Sequence, residues 1–337
     1  MEFLYEYGLF AAKVVTWVAA VAVVIALIVA ARQKQEDDGL KVKDISAALR
    51  RQARRLRLET AVNEAERKTL KQDFKQADKA EKKQGDHRDR LYVIDFKGSM
   101  DAHEVSWLSR EVTALLQLAD PGDEVLVRVE SGGGVVHGYG LGAAELQRLK
   151  GHGLKLTVAV DKVAASGGYM MACVAEQIIA APFAIVGSVG VVAQMPNFNK
   201  FLKNRDIDIE LHTAGEYKRT LTLFGENSEQ GRAKFREELE VIHQRFKHFI
   251  AENRPKLDLD KVATGEHWLA SDAQALGLVD TLQTSSDYLL AHSNSKRIIS
   301  LSFKPKQSLK DKFGKAAEAG VSRGLMKLYE AGQRPFG

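Results

Sequence analysis

The sequence has a single cysteine, Cys173, among 337 residues, which excludes an intrachain disulfide and a thiolate metal cluster. It has no large excess of one charge sign. The 49 lysines and arginines stand against 44 acids for a formal net charge of +5, and the two signs are interleaved. That balance leaves no footprint for nucleic acid and at most favours a membrane surface. No G-x-S-x-G elbow occurs, so an α/β-hydrolase is unsupported. None of the nine histidines falls in a recognisable triad motif; His243 and His248 stand in a charged helical stretch, where solvated positions are expected. No internal repeat of fixed period is visible.

An apolar fraction of 45% with 28% charge fits a globular chain, long enough for one large domain or two ordinary ones. Val14 to Ala31 is an uncharged apolar run of 18 residues, the length of a membrane-spanning helix, with Trp17, Arg32 and Lys34 placed as interfacial anchors. A cleaved secretory signal is the competing reading. It is disfavoured because Glu2 and Glu6 outnumber Lys13 before the run, whereas such a signal has a basic start and a shorter apolar core. Residues 1–31 are therefore read as an N-terminal segment with a membrane anchor. Residues 32–90 are about half charged, lack proline and hold few aliphatic positions, which predicts a helical, solvated spacer. It would serve as a stalk, a flexible linker or a basic surface touching lipid head groups.

From Leu91 short apolar runs alternate with helical periodicity: LYVIDFKG, AHEVSWLSREVTALLQLA, EVLVRVES, a helix near Leu141 to Lys150, then LKLTVAVD. This alternation predicts an α/β domain with parallel strands over residues 91–294. A long amphipathic helix is expected from about Ser228 to Arg254, with Phe235, Leu239, Ile242 and Phe246 three or four apart. Residues 295–337 are basic and glycine-dotted and are expected to be loosely attached.

Three features bear on chemistry. Gly132 to Gly134 directly follow a predicted buried strand, where successive small residues can turn backbone N–H groups into a concave donor site for an oxyanion or phosphate. A plain tight turn is the alternative. Gly138, Gly140 and Ala143 fit G-x-G-x-x-A, with Asp161 about 20 residues on, as in a dinucleotide fold, but the motif starts several residues past the strand and so argues against that reading. In AASGGYMMAC, Ser166 sits between a strand and an apolar helix, where the helix dipole and free N–H groups favour negative charge on its Oγ. A stabilising N-cap serine would stand at the same place. Lys218, in AGEYKRTLTLFGENSE, lies in a loop before the long helix; by composition it is a surface charge, and it becomes a base only if a dry site lowers its pKa.

The ordered set ESGGGV, AASGGYMMAC, GSVGV, GEYKRTLTLFGENSE and GEHWLASDAQALGLVD resembles the signal peptide peptidase A family, in its short membrane-anchored SohB-type branch, over about Leu91 to Asp280. The resemblance implies a ClpP/crotonase-like fold and a serine–lysine dyad that hydrolyses peptides or membrane-associated protein fragments with no metal or organic cofactor. It places the nucleophile at Ser166 and the base at Lys218, 52 positions on. It makes Gly133 and Gly167 the oxyanion donors, with Ser188, Arg219 and Tyr169 as supporting residues. The family motif usually reads S-P-G-G, and Gly132 stands here where proline is common. The resemblance also implies a homo-oligomeric ring. The other readings are a crotonase-type acyl-CoA enzyme and a non-catalytic membrane scaffold. As to topology, the six basic residues soon after the span against one before it favour a cytoplasmic domain, whereas the resemblance implies the periplasmic side of the inner membrane, which is adopted.

Overall fold

The computed structural model describes residues 13–18, 21, 39–84 and 89–303. The anchor expected over Val14–Ala31 lies mostly outside these residues, as does the tail from 304. Among the described residues no helix is long and apolar enough to cross a membrane. Residues 13–18 are helical. Val42–Ser302 form one compact unit.

The chain runs β1 (Leu40–Asp44), α1 (Ile45–Glu59), α2 (Glu64–Gln84), β2 (Arg90–Lys97), α3 (Val105–Leu116), β3 (Glu124–Glu130), α4 (Val136–Gly151) and β4 (Lys155–Val160). It continues with β5 (Val163–Ala165), α5 (Gly167–Ala172), β6 (Gln177–Ala180), β7 (Ile185–Gly187), α6 (Asn199–Lys203) and α7 (Glu229–Asn253). It closes with α8 (Leu259–Val262), β8 (His267–Leu269), α9 (Ala270–Ala275), β9 (Thr281–Leu282), α10 (Ser285–His292) and β10 (Arg297–Phe303). After β1 two helices follow: Asp44 caps α1 by accepting from the Ala47 N–H, and Arg54 crosses to α2, pairing with Asp78 at 2.6 Å over the Phe74 ring.

The main sheet has the order β1-β10-β2-β3-β4-β6-β9, with parallel pairing from β10 through β9. Its central strands are apolar on both faces, which is why they read as continuous runs. Tyr92, Ile94 and Phe96 of β2 join Val125, Val127 and Val129 of β3 against α3 and α4 in the larger core. Leu91, Val93 and Leu126 point the other way, into a smaller core with Tyr288 and Leu289 of α10 and Ile298 of β10. That second face stays apolar only part of the way. Asp95 and Arg128 are register partners beyond it, joined by two hydrogen bonds of 2.5 and 2.8 Å.

Three elements differ from the sequence reading. Within residues 32–90, expected to be a solvated spacer, β1 is the edge strand of the main sheet, and Ser46 just after it is fully buried, its hydroxyl accepting the Ile298 N–H of β10. The RIISLSF segment that opens the basic tail is strand β10, with Ile298 and Leu301 buried. A second sheet of order β5-β7-β8, with a parallel and an antiparallel pair, makes the fold a mixed one. Each of its strands has three residues, too few for an alternation to register.

The long helix α7 starts at Ser228, whose hydroxyl accepts from the Gly231 N–H, and ends at Arg254, whose guanidinium grips Asp280 at 2.7 and 2.8 Å. Asp280 also accepts the Ile178 N–H of β6 at 2.7 Å, so this carboxylate ties the helix end to the sheet. Burial opposes its ionisation, but the Arg254 and Ile178 hydrogen bonds outweigh burial and hold its pKa below the ordinary value. A depressed carboxylate stabilises the fold at pH values above its unfolded pKa of about 3.9, and that contribution is lost as the pH falls through the lower folded value. Asp280→Asn should therefore cost on the order of 2 kcal/mol at neutral pH and flatten the loss of stability below about pH 4, as read by thermal melts over a pH series.

Candidate active site

Two strand ends meet at the centre of the site. Past β3 the chain stays extended at Ser131, which forms a parallel bridge with Ala164 of β5. Its N–H donates to Val163 O at 2.9 Å, and its own carbonyl accepts from the Ala165 N–H at 3.0 Å. One residue on, the Ser166 N–H donates to Gly187 O of β7 at 2.8 Å. Hydrogen bonds thus clamp the backbone on both sides of Ser166.

Between these clamps the chain reverses into α5, and Ser166 takes φ 51°, ψ −118°. A left-handed φ on a residue with a Cβ costs about 1–3 kcal/mol and persists only where the surroundings enforce it. Ser166 occupies the N-cap position, yet its hydroxyl makes no capping bond. An N-cap serine kept for stability would have an extended backbone and a bonded Oγ. The stabilising alternative therefore does not describe this residue.

The glycines fit closely around it. Gly133 has φ 90°, and a Cβ there would come within 2.8 Å of both Gly167 N and Ser166 Cβ. A Cβ on Gly167 would overlap the Tyr139 ring, whose hydroxyl is bonded to Ser131 Oγ and donates to Ser99 O at 2.8 Å. The Gly133 N–H is already engaged, donating to Ser131 Oγ at 3.1 Å. The next N–H, that of Gly134, has no acceptor among the described residues, and the Gly167 N–H opens α5, where the helix offers none. Gly132 has open space where a side chain would stand, which accommodates the loss of the proline common in the motif.

These residues line a cavity of about 740 Å³. Gly133, Gly167, Ser166 and Ser188 all face it, as the sequence reading expects for pocket residues, while Met170, Val191, Ile242 and Phe246 make its wall largely apolar. Ser188 follows Gly187 with φ 53°, and its N–H donates to Glu266 O at 2.6 Å. The other expected site residues lie elsewhere. Tyr169 is a core residue: fully buried, it donates to Leu278 O at 3.1 Å, and burial raises its pKa far above the ordinary value. Lys218 and Arg219 are exposed and do not line the cavity; Lys218 sits in a turn, its N–H donating to Gly215 O at 3.2 Å. Their stretch, residues 191–227, is irregular apart from α6 and leaves Val192, Phe201, Leu211, Tyr217 and Phe224 exposed.

Sequence reasoning missed His243. It was expected to be solvated, but it lines the cavity, half-buried, with Nε2 3.2 Å from Val189 O. Its spacing of three and seven from Phe246 and Ile250 is the signal that places it on the inner face of α7. The dinucleotide-like glycines Gly138 and Gly140 lie inside α4, not in a strand-to-helix loop. At the rim beside Met100, ligand atoms of Asp101, His103 and Glu104 come within 4.8 Å of one another, the one such group among the described residues. The Ser99 and His103 hydrogen bonds hold the exposed Asp101 carboxyl down to about 2. Ser99 and Asp101 both address Nδ1 of His103, at 3.1 and 2.9 Å, so the three cannot relay a proton through the ring as a triad does.

A serine hydroxyl without a partner among the described residues, on a strained turn at a helix start and lining a roomy cavity beside unengaged backbone amides, is an arrangement suited to nucleophilic acyl transfer. The chain belongs to peptidase family S49: the family's N-terminal part matches residues 2–146 and its peptidase part residues 148–298. It is 45% identical over 330 residues to "Probable protease SohB" of Haemophilus influenzae, covering 94% of each chain. It is 49% identical over 243 residues to "Probable protease SohB" of Buchnera aphidicola, covering 72% of each. Among solved structures, the 1510-N membrane-bound stomatin-specific protease matches with a TM-score of 0.41 at 15% identity, over 67% of this chain and 96% of that one. The chain is a serine-type peptidase, and the resemblance drawn from its motifs holds.

The strain at Ser166 has a measurable consequence. Ser166→Gly should raise the melting temperature, by the equivalent of about 1 kcal/mol, because glycine adopts this φ without cost. Ser166→Ala keeps the Cβ and should not. Equal melting temperatures for the two variants would show that the turn is unstrained.

Proposed function

We propose that Ser166 is the nucleophile and Lys218, as a neutral amine, the general base of an endopeptidase with a ClpP/crotonase-like fold. The observation that carries this reading is the unbonded Ser166 hydroxyl on a strained turn in the apolar cavity. Its Oγ attacks the scissile carbonyl while Lys218 takes the hydroxyl proton. The tetrahedral oxyanion rests on the Gly167 N–H and, because the Gly133 N–H is held by Ser131, on that of Gly134. Lys218 then delivers its proton to the leaving amine, and water hydrolyses the acyl-enzyme. Gly133 contributes by having no side chain where Ser166 and Gly167 must approach. A crotonase-type acyl-CoA reaction and an inactive scaffold are set aside by the peptidase family membership.

The exposure of Lys218 in one chain is the difficulty this mechanism must meet. An amine in water keeps its proton at neutral pH; it becomes a base there only when desolvated. The apolar side chains exposed along residues 191–227 supply a surface that a second copy of the chain would cover, burying the lysine as it does so. The dyad is therefore completed between protomers in a homo-oligomeric ring, with Ser166 from one and Lys218 from the next. Residues 14–31 anchor the assembly in the inner membrane, α1 and α2 form the charged surface of the expected spacer, and the peptidase domain lies on the periplasmic side, where it meets peptides and membrane-associated protein fragments.

Three results test this. Lys218→Arg keeps the charge but cannot accept a proton, so it should be as inactive as Lys218→Ala, both down by roughly a thousandfold or more; an active Lys218→Arg makes the lysine merely electrostatic. Mixed oligomers of Ser166→Ala with Lys218→Ala should recover part of the peptidase activity that neither has alone, and demonstrated mixed oligomers that stay inactive would put the dyad in one chain. An alkaline phosphatase fusion after Arg90 should be active, and an inactive fusion places the domain in the cytoplasm.

A further inference from the structure

Beyond the dyad, the wall of the cavity that Ser166 lines holds a group with no assigned part. His243 is brought there by α7, with Phe246 and Ile250 buried three and seven residues on and Ile242 beside it on the wall. Its Nε2 lies 3.2 Å from Val189 O. A carbonyl oxygen can only accept, so Nε2 carries the ring proton, and in the neutral imidazole Nδ1 is then a bare acceptor. That nitrogen has no hydrogen-bond partner among the described residues.

The bond does two things at once. Val189 belongs to the turn that carries Gly187, which accepts the Ser166 N–H, and Ser188, which is held by Glu266 O. Anchoring the ring on this turn fixes its plane relative to the serine. It also leaves a hydrogen-bond acceptor, beside the Ser188 and Thr264 side chains, in a wall otherwise made mostly of Met100, Val135, Met170, Val191, Ile242 and Phe246. An acceptor in a largely apolar wall discriminates, because an apolar substrate side chain displaces its water without returning a hydrogen bond.

We propose that His243 is a specificity-determining residue of this peptidase: it selects peptides whose side chain entering the cavity donates a hydrogen bond, those of serine, threonine, asparagine or glutamine, over apolar side chains of the same size. The proposal rests on Ser166 being the nucleophile of this cavity.

The test compares wild type, His243→Phe and His243→Gln on matched peptides that differ only in threonine against valine, or glutamine against methionine, at each position around the scissile bond. At one position the wild type should favour the donor-bearing member by about three- to tenfold in kcat/KM. His243→Phe fills the same space without nitrogens and should lose that preference, chiefly through KM. His243→Gln can donate to Val189 O and still offer an oxygen, so it should retain the preference. His243→Leu replaces the phenylalanine variant if that does not fold. A wild type without preference at any position overturns the proposal. So does a uniform fall in kcat over all peptides in His243→Phe with the ratio intact, which would make the residue purely structural. If Ser166→Ala cleaves the same peptides at the wild-type rate, the serine assignment fails instead, and the two failures are told apart.

Discussion

The left-handed backbone at Ser166 is held from several directions at once, and the site depends on that over-determination. The Ala165 N–H is bound to Ser131 O and the Ser166 N–H to Gly187 O, so the strand ends on either side cannot relax independently. Gly133, lacking a Cβ, lets Ser166 and Gly167 approach closely, and Tyr139 backs Gly167 while bonding Ser131 and Ser99. With the backbone so fixed, the hydroxyl is turned away from the helix it would otherwise cap. The small second sheet exists, in this view, to complete the clamp: β5 delivers the serine, β7 accepts its N–H, and β8 braces β7. Strain of this kind is stored where preorganisation is useful, and the apolar core on both faces of the main sheet supplies the stability that sustains it.

The same protomer that preorganises the proposed nucleophile leaves the proposed base exposed. Ser166 is half-buried between the buried Ala165 and Gly167, whereas Lys218 belongs to an irregular stretch with several exposed apolar side chains. This division is physically coherent if assembly is what desolvates the lysine. On the proposed mechanism, peptidase activity then depends on assembly.

Much of this was legible in the sequence because local patterns carried it. The alternation after Leu91 gave the parallel sheet, the apolar spacing around Phe246 gave the long helix, and the placement of ASGG between a strand and a helix gave the serine its position. What stayed hidden depended on tertiary partners. Strands β5, β7 and β8 are too short to alternate, and β10 reads as part of a basic tail until Ile298 and Leu301 are seen packed against β2. Tyr169, directly after a motif glycine, is a core residue because its hydroxyl finds Leu278 O, a partner 109 positions away. Whether Gly133 or Gly134 offers its N–H turns on the Ser131 hydroxyl, and His243 enters the cavity through the direction α7 takes once Arg254 is tied to Asp280.

The central claim is that Ser166 Oγ becomes covalently acylated during turnover. Inhibiting the assembled enzyme with a serine-directed phosphonylating agent and mapping the adduct by mass spectrometry of the digested protein tests it most directly. The account expects activity to fall in proportion to a single adduct on the fragment containing Ser166. Full inhibition with Ser166 unmodified and the adduct on another residue would contradict it.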